Sequence, residues 1–142
     1  MKIGARVKVT ADTNVLLRAV LGDDTAQQQV AIATLEGAEL VAISVQSLCE
    51  FVWVLERGYR TARADIAAAI RRLLDLRNVA VDRPAVEAGL RVLDAGGDFA
   101  DGVIAHDGNW LGGDTFVSFD RKAVALLAGQ GRQARLLAPF AG

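Results

Sequence analysis

Val9-Thr10-Ala11-Asp12-Thr13-Asn14-Val15-Leu16-Leu17-Arg18 is the stretch on which the reading of this chain turns. A short apolar run from Val7 to Ala11 meets an acid. A second run, with Leu16, Leu17 and Val20, follows at once. The first has the length of a buried strand and the second the spacing of a helix start. Asp12 therefore falls at the carboxyl end of a strand, the edge where open α/β sheets bind ligands. What Asp12 does depends on whether other carboxylates return to meet it.

Working outward, a helix over 13–20 is broken by Gly22-Asp23-Asp24. Asp24 or Thr25 can cap a second helix running to Glu36, with Val30, Ala33 and Thr34 at helical spacing and Gly37 suited to its C′ position. Residues 39–45 read as a second buried strand. Leu48, Phe51, Val52 and Leu55 form one stripe of a third helix that ends near Gly58. Over 63–76, Ile66, Ile70, Leu73 and Leu74 mark an amphipathic helix with Arg71, Arg72 and Asp75 opposite. A strand over 79–81 follows. Pro84 opens a helix carrying Val86, Leu90 and Leu93, closed by Gly96-Gly97. Asp98 starts another, with Val103 and Ile104. A strand over 115–119 leads through Asp120 into a helix reaching Leu127, broken by Gly129 and Gly131, and 134–137 forms a fifth strand. Strands alternating with helices predict an α/β fold with a central, mostly parallel sheet.

The 142 residues suit a single domain, 1–142, and 52% hydrophobic with 23% charged residues describes an ordinary globule. A net charge of −1 supplies no global field for nucleic acid, so any such binding needs a local patch. Cys49, the single cysteine, excludes an internal disulfide and fits a reducing compartment. Lys2, Arg6 and Lys8 interrupt the apolar start, against a signal peptide. Polar residues such as Glu39, Gln46 and Glu50 interrupt the apolar stretch around 40–55, against a membrane span. The expected location is the cytoplasm.

Four acids stand out by their surroundings. Asp12 follows the first strand. Glu50 sits in the apolar run Leu48-Cys49-Glu50-Phe51-Val52-Trp53-Val54. Asp101 lies in the first turn of an apolar helix, and Asp120 follows Phe116-Val117-Ser118-Phe119. Converging carboxylates about 4 Å apart repel by roughly 4 kcal/mol per pair at an effective dielectric near 20. A divalent cation removes that repulsion. Oxygen-only ligands favour Mg²⁺ or Mn²⁺ over zinc, and such ions hydrolyse phosphodiesters by activating water. Each acid also has a capping explanation. Asp12 and Asp120 can cap helices, Ser47 and Glu50 have capping-box spacing, and Asp98 as N-cap places Asp101 at N3. Both roles stay open for each acid taken alone.

Asp12-Thr13-Asn14-Val15-Leu16-Leu17-Arg18, Glu50 with Trp53-Val54-Leu55, Asp98-Phe99-Ala100-Asp101-Gly102-Val103-Ile104-Ala105 and Phe119-Asp120-Arg121-Lys122-Ala123 together resemble the PIN-domain ribonucleases, and most of all VapC toxins. The resemblance covers nearly the whole chain. It implies a three-layer α/β/α sandwich, Mg²⁺-dependent endoribonuclease activity with Mn²⁺ able to substitute, homodimerisation, and a VapB-type antitoxin that binds it in a larger hetero-oligomer. On it, Asp12, Glu50, Asp101 and Asp120 match the catalytic, metal-binding quartet, with Asp12 and Asp101 the most direct ligands. Thr13 and Asn14 match the polar pair that supports them. Ser118 stands where the family commonly has Thr, and Asp98 is a cap with a supporting role.

A receiver-like signalling domain would want paired acids at the first strand end, and a haloacid-dehalogenase-like phosphatase a second Asp at position 14. Asn14 disfavours both, and the complete quartet argues against a catalytically silent interaction module. His106, the only histidine, is expected at the surface or a helix end. Trp53 and Trp110 are expected in the core or an interface. Arg57, Arg60 and Arg63 read as a solvated face or as a basic rim for RNA phosphates or antitoxin acids. Arg18 and Arg121 could orient the carboxylates or meet phosphate.

Overall fold

The structure, a computed structural model, describes residues 7–141, so Lys2, Arg6 and the rest of the leader before Val7 lie outside it. It contains seven helices and five strands among the described residues, grouped in two compact units that divide after Asp82. All strand pairs are parallel, as the α/β alternation predicts. Hydrogen bonding joins them as three strands in the first unit and two in the second.

In the first unit β1 (Lys8–Thr10), β2 (Leu40–Ala42) and β3 (Val79–Ala80) pair in that order, with Val9 opposite Val41 and Val41 opposite Val79. β2 is central, and Val41 is fully buried. β1 has one hydrogen-bonded neighbour, and its Lys8 and Thr10 are exposed. The uniformly buried first strand expected from sequence is therefore corrected to one that alternates.

α1 (Thr13–Val20) buries Leu16 and Leu17. α2 (Thr25–Gly37) is capped by Asp24, whose side chain accepts from the Gln27 N–H. Its inward residues are Ala31 and Leu35, one helical turn apart, while Val30 is 67% exposed. Gly37 is the last helical residue, not a left-handed C′. No such cap is needed, because the Asn78 side-chain amide donates to the Leu35 and Ala38 carbonyls at 2.7 and 3.0 Å.

α3 (Val45–Arg57) buries Leu48, Phe51, Val52 and Leu55, the expected stripe, and ends at Gly58. Its N-cap is Ser44, whose Oγ accepts from the Ser47 N–H at 3.1 Å, so the Ser47–Glu50 capping box does not form. A cap at Ser44 also ends the strand early and puts Val45 in the helix. α4 (Arg63–Asp75) buries Ile66, Ile70 and Leu74, leaves Leu73 half-buried, and exposes Arg71, Arg72 and Asp75.

The second unit is α5 (Arg83–Asp94), α6 (Phe99–Trp110), β4 (Thr115–Ser118), α7 (Arg121–Gly129) and β5 (Gln133–Leu136), with Thr115 opposite Gln133 and Ser118 opposite Leu136. Pro84 lies in the first turn of α5, which buries Val86, Leu90 and Leu93. Gly96 ends this helix at φ 98°, with the Gly97 N–H donating to Val92 O at 2.8 Å and the Gly96 N–H to Leu93 O at 3.1 Å. That is a Schellman closure. Gly131 closes α7 in the same way.

α5 and α6 meet through glycines. A Cβ on Gly89 would stand 2.6 Å from the Phe99 ring, and one on Gly102 would strike the backbone of Ala88 and Gly89. Val103 is buried but its neighbour Ile104 is 57% exposed, since adjacent helical residues point about 100° apart. His106 lies within α6, half-buried, and its Nε2 is buried with no hydrogen-bond partner among the described residues, contrary to a surface placement. Trp53 and Trp110 are 62% and 81% exposed, so neither belongs to the core. No helix among the described residues is long and apolar enough to cross a membrane.

The two glycines of α6 make opposite predictions. Gly102→Ala forces α5 and α6 apart and is expected to lower stability by about 2 kcal/mol or more. Gly108→Ala, with open space around the new methyl, should raise it by about 0.5–1 kcal/mol. Urea denaturation of both variants measures the pair, and equal effects would contradict the close helix contact.

Candidate active site

In the first unit Asp12 leaves β1 and caps α1. The Ala11 N–H still pairs with Ala42 O at 3.0 Å, and the Asp12 Oδ1 accepts from the Thr13 N–H at 2.8 Å. Asp12 is exposed, whereas Thr13 is 5% exposed. From this buried position the Thr13 hydroxyl donates to Glu50 Oε2 at 2.7 Å. One residue thus ties the cap of α1 to α3 and fixes a carboxylate there. Glu50 itself is exposed, which corrects its reading as a charge buried in an apolar helix. It sits on the solvent side of α3, opposite the Leu48–Leu55 stripe. Asn14 is exposed on the first turn of α1.

In the second unit Asp98 caps α6, with Oδ1 accepting from the Ala100 N–H at 3.1 Å. Asp101 lies at N3 of that helix, half-buried. Asp120 caps α7, its Oδ1 accepting from the Lys122 and Ala123 N–H groups at 2.9 and 3.2 Å. Ser118 closes the corner from β4, its Oγ accepting from the Asp120 N–H at 3.0 Å. Burial pushes the Asp101 carboxyl above the ordinary range, and the negative charges of Asp98 and Asp120 push it further.

Three of these acids therefore do cap helices, as their sequence positions allow. In each case the cap uses Oδ1 alone, and Oδ2 makes no hydrogen bond among the described residues. A cap that leaves one carboxylate oxygen open does not compete with ligation. Unmet charge and open oxygens fit a hard divalent cation, which takes oxygen ligands. Within neither unit do three His, Cys, Asp or Glu side chains of the described residues already stand as a metal cage. Asp12 and Glu50 belong to one unit, and Asp98, Asp101 and Asp120 to the other.

Arg18 does not orient the acids of its own unit. It pairs with Asp23 at 2.9 Å and donates to the Tyr59 hydroxyl at 3.2 Å, which raises its pKa. Tyr59 carried no signal in the sequence, because it lies in a loop with no periodicity. Arg121 is exposed at the start of α7.

Compared with known proteins, the chain matches a family model described as the PIN domain over residues 9–126, a span that includes all four acids and runs through both units. No curated protein matches it.

The raised Asp101 pKa has a signed consequence. As pH rises, the unfolded chain loses this proton first while the native state keeps it. The native state then binds more protons, so stability falls from the ordinary carboxylate pKa up to the raised one. In metal-free buffer Asp101→Asn should match wild type in Tm at acid pH and exceed it at neutral pH. An offset that does not change with pH would contradict the account.

Proposed function

The chain belongs to the PIN domain family, whose members are typically metal-dependent nucleases, and from that premise we propose that it is a Mg²⁺-dependent endoribonuclease acting as the toxin of a VapBC-type toxin–antitoxin pair. The observation that supports it best is that Asp12 and Asp120, at strand–helix junctions, and Asp98, between two helices, each cap with one oxygen and leave the other without a hydrogen bond among the described residues. Asp12 and Asp101 serve as the direct metal ligands, with Glu50 and Asp120 completing the catalytic set. Thr13 holds Glu50 by its hydroxyl, and Asn14 supports the turn. Ser118 positions Asp120 through its backbone N–H, and Asp98 caps the helix that carries Asp101 at its N3 position. Bound Mg²⁺, or Mn²⁺ in its place, would supply an activated water and neutralise charge on the phosphodiester. The chain's own contribution is to hold its carboxylates by backbone and hydroxyl hydrogen bonds, and a bound cation would favour the ionised form of Asp101, which burial and the charges of Asp98 and Asp120 disfavour.

On this reading 1–142 works as one PIN domain in the cytoplasm. Its partners are RNA, a VapB-type antitoxin and a second copy of the chain, with a larger hetero-oligomer when antitoxin is bound.

Purified protein should cleave single-stranded RNA with Mg²⁺ or Mn²⁺ and stop in chelator. Supporting groups around a metal cost roughly 10–100-fold when lost, so Asp12→Asn and Asp101→Asn should each lower cleavage by about 100-fold or more. Each should also weaken Mn²⁺ binding measured by calorimetry. Unchanged cleavage in chelator would overturn the metal mechanism. Expression without an antitoxin should arrest growth, and healthy cells making ample soluble wild type would overturn the toxin role.

A further inference from the structure

α3 has two faces of different chemistry. Its buried face is Leu48, Phe51, Val52 and Leu55. Opposite it, Gln46, Glu50, Trp53 and Arg57 are all exposed and fall within about 60° of arc at 100° per residue. The spacing i, i+4, i+7, i+11 makes this one continuous stripe. It starts beside Glu50, which Thr13 holds at 2.7 Å, and runs away from it along the helix.

Trp53 is the feature that needs explaining. It is 62% exposed, one turn from Glu50, on a helix whose other large apolar residues turn inward. One turn further lies Arg57, and beyond the helix end lie Tyr59 and Arg60. The loop they occupy is held in place. The Tyr59 N–H donates to Val54 O and the Thr61 N–H to Leu55 O, at 3.3 and 2.9 Å. The Tyr59 hydroxyl donates to Asp23 at 3.4 Å and accepts from Arg18. Arg60 between them has φ 50°, a left-handed conformation that non-glycine residues adopt rarely. Such conformations persist where surrounding contacts over-determine them, and they cluster at binding sites.

The charges of this neighbourhood sort themselves. Asp23 is paired with Arg18 and Glu56 with Arg63 at 3.5 Å. Arg57 and Arg60 are exposed and make no hydrogen bond or ion pair among the described residues. A flat aromatic surface followed by two cations without partners is the combination that holds a single strand of nucleic acid, with a base on the ring and phosphates on the guanidiniums.

We propose that Trp53, Arg57 and Arg60 form a track that seats single-stranded RNA leading to Glu50, with a base stacked on Trp53 and backbone phosphates at Arg57 and Arg60. The track rests on the ribonuclease reading for its substrate. It explains how a chain of net charge −1 binds a polyanion: the attraction is local. Trp53 and the two arginines are binding residues here, and Glu50 is where the track ends.

The test is fluorescence anisotropy with a fluorescein-labelled single-stranded RNA 12-mer of mixed sequence, in chelator so that binding is read without cleavage. Trp53→Ala should weaken binding about tenfold, since the ring that stacks one base is lost, and Trp53→Phe should restore most of it. Arg57→Ala with Arg60→Gly should weaken binding and lower the salt slope by about 1.4, that is, roughly 0.7 for each of two phosphates on a single strand. Arg60→Gly also suits the backbone at φ 50°, so lost binding cannot be put down to lost folding. Trp110→Ala, the other exposed tryptophan, should leave binding unchanged. The same RNA with Mg²⁺ separates the two readings. Cleavage that Asp12→Asn abolishes, with RNA affinity unaffected by Trp53→Ala, overturns the track and leaves the nuclease standing. Trp53-dependent RNA binding without cleavage does the reverse. A change in sedimentation of Trp53→Ala with RNA affinity intact makes this face a contact between copies and overturns the track.

Discussion

Helix capping is the constraint on which the rest depends. A helix that starts at the end of a strand leaves backbone N–H groups without partners, and a short acid at the junction satisfies them. Asp12, Asp98 and Asp120 each do this, at 2.8–3.2 Å, and so each is held at a strand–helix or helix–helix corner by the fold itself. Capping and ligation first look like rival explanations of the same residue. They are compatible because a carboxylate has two oxygens and the cap takes one. The cap holds the carboxylate against the helix start and leaves its second oxygen without a hydrogen bond among the described residues.

Asp101 differs from these three because it sits at N3 and accepts no backbone bond of that kind. The helix dipole favours its charge, yet burial and the charges of Asp98 and Asp120 outweigh the dipole and raise its pKa. Its environment is thus adverse to the ionised form. Glu50 is the opposite case. It is exposed and accepts a hydrogen bond from the buried Thr13 hydroxyl. One acid is poised by unfavourable electrostatics and the other by a hydrogen bond.

Much of this was legible in the residues. The first helix forms over Thr13–Val20 as its capping and apolar spacing predict, and the stripe of α3 is buried as its period requires. Errors arose where periodicity leaves one residue of freedom. Val30 and Ala31 are adjacent, as are Val103 and Ile104, and which of each pair turns inward is set by packing with other elements. Capping-box spacing points to Ser47, but the strand stops at Ala42 and the cap falls to Ser44. Gly37 looked like a helix stop, but Asn78, 41 positions on, does that work by side-chain bonds no local pattern encodes. The candidate acids were legible as a set of residue types at element ends. The exposure of Glu50, Trp53 and Tyr59 was not, since an apolar neighbourhood in sequence says little about which side of a helix meets water.

The orientation of Asp101 traces to the residue beside it. Gly102 lets α6 approach the backbone of Ala88, and Phe99 fills the space that Gly89 leaves open. With Phe99, Gly102 and Val103 turned inward, the rotation of α6 about its axis is fixed to within a small angle. Asp98 and Asp101, three apart, must then share the other side of the first turn. Their mutual repulsion is therefore a consequence of close helix packing. A bulkier residue at 102 would relieve it by rotating or displacing the helix, and would lose the aim of both carboxylates together.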